Sequence, residues 1–74
     1  MKYNFFVGQV LFWHLNDFEG ERYIRAVVTE VHKHHAVAVT KGNEFENYNN
    51  QTLWIDEWNA EDFFRSTVLQ SLKK

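Results

Sequence analysis

His32, His34 and His35 lie within four residues of one another, and imidazoles that close together invite a metal reading. A zinc site needs three or four ligands converging on one point, each oriented by a partner behind it. Here His14 stands far off in sequence, and the other three fall in or beside the polar stretch Lys33-His34-His35. A solvated turn accounts for them, so no metal is expected. The carboxylates offer adjacent pairs, Asp56/Glu57 and Glu61/Asp62. The second pair is explained by the positive N-terminal end of a helix. Ser66 and Ser71 fall on that helix and Thr29 and Thr40 on strands, and none stands out as a nucleophile. A chain of 74 residues also leaves little room for a water-excluded cleft. The expectation is a non-enzymatic protein with no catalytic residue and no cofactor.

The rings are the remaining chemistry. Seven Phe, three Tyr and three Trp exceed what so small a core can hide, so some must reach the surface. Exposed aromatic patches mark contact sites. The residues expected to meet a protein partner are Phe18, Tyr23, Tyr48 and Trp54, with Arg25 as a polar anchor. A second reading uses charge. Arg22, Arg25, Lys33 and Lys41 lie between residues 22 and 41 against a single acid, Glu30, and with Tyr23 and Trp13 could bind nucleic acid. The net charge of −2 works against it, because neutralising phosphates dominates such affinity. From Gly42 to Phe64 there are six acids and no Lys or Arg, an asymmetry that reads either as a mixed solvated surface or as a bipolar molecule whose basic hairpin or acidic flank meets a charged partner.

The elements that must position these groups follow from periodicity. Glu21–Thr40 is the organising stretch, two β-rich runs joined by a turn. Neither period-two face of the first run is apolar throughout. That predicts a bulge near Thr29–Glu30, with Ala26 and Val28 inward before it and Val31 inward after it. In Ala36–Val39 the valines, Val37 and Val39, are expected inward. Lys33-His34-His35 lacks Gly, so the connection should be longer than a two-residue turn. Gln9–Leu15 and Thr52–Asp56 read as further strands, with Leu53 and Ile55 on one face and Trp54 on the other. Met1–Val7 reads as an edge strand or a tail on the core, and Glu44–Gln51 as a loop.

From Asn59 the period becomes helical. Phe64, Val68 and Leu72 form a stripe, with Ala60 and Thr67 beside it, predicted to pack on the sheet. Asn59 suits the N-cap, with Asp62 in a capping-box role and Trp58 and Phe63 as a hydrophobic staple. Glu61 and Asp62 at the start and Lys73 and Lys74 at the end complement the helix dipole.

Val7-Gly8, the acidic loop Asp17–Gly20, the run Tyr23-Ile24-Arg25-Ala26-Val27-Val28 with Val31, Ala36–Val39 and Leu53–Asp56 together resemble the SH3-like barrels, in particular their Tudor-type branch. The resemblance covers Val7 to Asp56. It implies a mainly β fold, a small bent barrel of four or five antiparallel strands (about residues 7–56) capped by a C-terminal helix (about 60–72), in one domain spanning 1–74. Tudor domains read methylated Lys or Arg with an aromatic cage. Carried over by position, the cage retains Tyr23 at most, since Leu15 and Thr40-Lys41-Gly42 stand where rings are expected.

No run reaches transmembrane length, the N-terminus lacks a signal pattern, and there is no Cys. A cytoplasmic protein is therefore expected, with no membrane partner and no disulfide or thiolate site. A homodimer through a barrel edge is a further expectation. The composition suits a small accessory protein of a bacterium or phage.

Overall fold

The structure, a computed structural model, describes residues 3–18, 20–41 and 50–72, and of Asp17 the backbone alone. Four strands, β1 (Val10–Asp17), β2 (Gly20–Val31), β3 (Ala36–Thr40) and β4 (Thr52–Ile55), precede one helix, α1 (Ala60–Leu72). They form a single antiparallel sheet in the order β1-β2-β3-β4. The protein is thus mainly β with a C-terminal helix, as the change of period predicts. The Glu44–Gln51 loop expectation falls mostly outside the described residues, as do Tyr48, Lys73 and Lys74.

The bulge is where the pattern puts it. The β2–β3 register shifts between Val28 and Glu30, leaving Thr29 as the extra residue. Beyond it Val31 pairs with the buried Ala36, so the face does switch, but at the rim of the sheet Val31 itself stays exposed. The β2–β3 connection is longer than two residues, closed by the His32 N–H donating to the His35 carbonyl at 2.8 Å. At the other hairpin Gly20, with φ +111°, faces Asp17 across a tight turn and leaves Phe18 at its tip. A side chain there would be strained by the backbone angle rather than by crowding, since nothing lies near its absent Cβ.

One face assignment is reversed in β3. Ala36 and Ala38 are fully buried, and Val37 and Val39 point outward, half-buried. The inner face is lined by Ala26, Ala36, Ala38 and, from the helix, Ala60, small residues that let the layers approach closely. Leu11, Ile24, Val28 and Ile55 supply the core volume between them. The valines cover one another outside instead, Val39 opposite Val27 and Val27 opposite Val10.

The helix is rotated from its predicted phase. Ala60, Phe63 and Ser66 are buried, with Thr67 half-buried beside them. Phe63 is 7% exposed, whereas Phe64 is 47% exposed, and Val68 and Leu72 face outward with it. Hydrogen bonds fix the rotation. The Phe12 N–H donates to Thr67 Oγ1 at 3.1 Å, and the Thr67 hydroxyl donates to the Phe63 carbonyl at 2.7 Å. Arg25, opposite Phe12, gives its carbonyl to the Lys41 N–H on the far side, so Phe12 directs its amide to the free edge of β1.

Asn59 does the corresponding job at β4. Its carbonyl accepts the N–H groups of Asp62 and Phe63, as an N-cap residue's should. Its side-chain amide, however, turns back to the strand. Nδ2 donates to the Trp54 carbonyl at 2.9 Å, and Oδ1 accepts the Asp56 N–H at 2.8 Å. A carboxamide here stands in for a neighbouring peptide on the strand edge. The staple is not made. The Trp58 N–H donates to Asp56 Oδ1 at 2.9 Å, and that turn throws Trp58 outward to 92% exposure while Phe63 goes inward. Among the described residues β1 and β4 do not pair with each other, and Thr67 of α1 and Asn59 just before it satisfy groups on the two edges.

Residues 3–9 form no strand. They lie on the core as a tail, with Phe5 buried and the Tyr3 ring 5.4 Å from that of Phe64.

Candidate aromatic cleft

The sheet bends so that the ends of β1 and β2 face β4 across an open cleft of about 650 Å³ roofed by α1. Trp13, Leu53 and Phe63 supply its apolar surface, and Gln51, Asp62 and Arg65 polar groups. Tyr23 and His14 come to its lining from β2 and β1, and Trp54 from β4.

Cross-strand pairing builds the first side. His14 sits opposite Tyr23 in the register, and their rings stack at 4.9 Å and 20°. Glu21, two residues before Tyr23 and on the same face, holds both. The Tyr23 hydroxyl donates to Glu21 Oε1 at 2.5 Å, and His14 Nε2 lies 3.5 Å from the same oxygen. The hydrogen bond to Glu21, slight desolvation and the carboxylate's charge all favour the neutral phenol and raise the Tyr23 pKa above its ordinary value. Tyr23 is therefore a neutral ring held in place.

A stack of rings builds the second side. Trp54, 58% exposed, lies flat against His35, centroids 3.8 Å apart and planes 11° from parallel. His35 in turn stacks on His32 at 4.5 Å, and His32 Nε2 is 3.1 Å from Glu30 Oε1. The clustered histidines thus serve as a buttress for an exposed tryptophan. Among the described residues no three His, Asp or Glu side chains are arranged to hold a metal ion.

Of the five expected contact residues, the cleft gathers Tyr23 and Trp54. Phe18 is 98% exposed at the hairpin tip and Arg25 lies on the outer sheet face; neither lines the cleft, and Tyr48 is outside the described residues. The basic residues are dispersed. Arg22 and Arg25 lie on opposite faces of β2, Lys41 adjoins Arg25, and Lys33 is in the β2–β3 connection. The cleft roles of His14 and Asn59 and the buttress role of His35 escaped the sequence reading. The signal for His35 was positional: it is the diagonal neighbour of Trp54 once Ala36 pairs with Ile55.

Comparison with protein-family models, curated proteins and solved structures finds no match to this chain. No helix among the described residues is long and apolar enough to cross a membrane.

Proposed function

We propose that this chain is a small, non-enzymatic protein-interaction module whose contact surface is the aromatic cleft. The observation that carries this is that Tyr23 and Trp54, each ring braced by a histidine, both line one opening. Braced rings bind well because little side-chain freedom is lost on contact. Trp58, four residues after Trp54 in sequence, is a further displayed ring. The bulged four-strand meander supports assigning the domain to the SH3-like kind, with a partner segment rather than a methylated side chain as its ligand, since the described residues form no closed cage. A reducing cytosol of a bacterium or its phage is the proposed setting, from the absence of Cys and the overall composition.

The test is affinity capture of protein partners with the tagged full chain, comparing wild type with Trp54→Ala and Tyr23→Ala. Central aromatic anchors contribute about 2 kcal/mol or more, so each variant should retain a partner roughly 30-fold less well. Equal retention by all three proteins sinks the proposal. The nucleic-acid alternative has the weaker geometry, because Arg22, Arg25, Lys33 and Lys41 do not share a surface. Amide shifts clustered on residues 22–41 upon adding DNA, and fading with salt, would restore it.

A further inference from the structure

The outer face of α1 is the largest feature left unused. Phe64, Val68, Leu69 and Leu72 are exposed on it, and together with Tyr3 the first three border a shallow apolar groove of about 330 Å³ flanked by the Glu61–Arg65 ion pair. We infer that a second copy of this chain docks here, its α1 running antiparallel to the first about a two-fold axis at Val68. The argument is self-complementarity. Phe64, Val68 and Leu72 are evenly spaced at four residues, so reversing the helix about Val68 sets Phe64 on the partner's Leu72 and Val68 on its own counterpart. Side chains four apart form the ridges by which two helices interdigitate.

Charge selects the same orientation. The helix begins with Glu61 and Asp62, its last turn holds no acid, and Lys73 and Lys74 follow it in sequence. An antiparallel partner keeps the two acidic starts apart, and a parallel one sets them side by side. The inference does not rest on the cleft, which takes Asp62, Phe63 and Ser66 from the helix and shares only Arg65 and Leu69 with this groove.

The absence of Cys supplies a direct test. Packed helix axes lie about 8–10 Å apart with Cα atoms about 2.3 Å off each axis, which places dyad-related Cα atoms within disulfide reach. Val68→Cys in the full chain should therefore oxidise rapidly to a covalent dimer, and Phe18→Cys, more accessible at 98% exposure against 44% but off the axis, should lag at least tenfold. By sedimentation the wild type should run at twice its 8.9 kDa monomer mass and Val68→Glu as a monomer with an unchanged circular dichroism spectrum. A wild type that stays monomeric at millimolar concentration overturns the inference, as does equal cross-linking at positions 18 and 68. Loss of the dimer with cleft binding intact would leave the interaction module standing, and the reverse would leave the dimer standing.

Discussion

Replacing Phe63 with Ala should destabilise the domain by about 3–5 kcal/mol, and replacing Phe64 should cost about 1 kcal/mol. The two rings are neighbours in sequence, and only the rotation of α1 separates them. Phe63 is buried in the core cluster with Leu11, Leu53 and Ala60, whereas Phe64 lies outside it, its near side against Tyr3. A domain of this length has about 4–11 kcal/mol of stability in all, so Phe63→Ala should remove from about a quarter of it to the whole. Urea titrations at low protein concentration, where any dimer is dissociated, make the comparison. A midpoint for Phe64→Ala below that for Phe63→Ala would mean that the helix packs through the other stripe.

The second large effect lies on β4. Ile55→Ala should lose about 2–5 kcal/mol, because the side chain is wholly inside and faces Ala36, which is too small to fill the space left. Trp54→Ala, one residue away on the opposite face, should change stability by about 1 kcal/mol or less. Deleting its ring releases His35 from a stack but opens no cavity. That contrast is what lets Trp54 be removed as a test of binding while the fold stays intact. Equal losses at the two positions would mean that the β4 face assignment is wrong.

The strand positions, the Thr29 bulge, the opposed faces of β4 and the terminal helix were all legible, because each rests on side-chain period or on a local turn. The rotation of α1 was not. Two stripes compete on that helix, and the more apolar one, Phe64–Val68–Leu72, is the one left outside. The deciding contact is a hydroxyl: Thr67 satisfies the Phe12 amide at the edge of β1, a partner 55 residues away. The face of β3 failed for a related reason. Hydrophobicity ranks Val above Ala, but space beneath a tightly bent sheet ranks them the other way, and Ala36 and Ala38 took the inside. At the cleft, ring types pointed to Tyr23 and Trp54, but the histidines that hold them depend on cross-strand register, which composition does not carry.

The displayed rings carry the functional proposal, and their exposure can be measured on the free protein before any partner is known. Photo-induced nuclear polarisation by a dissolved dye marks only the aromatic side chains that solvent molecules can touch. Strong enhancement is expected at Trp54 and Trp58 and weak enhancement at Trp13, which is partly buried against the core. Silence at Trp54 in the monomer would contradict the account, since a covered ring cannot form the wall of an open binding cleft.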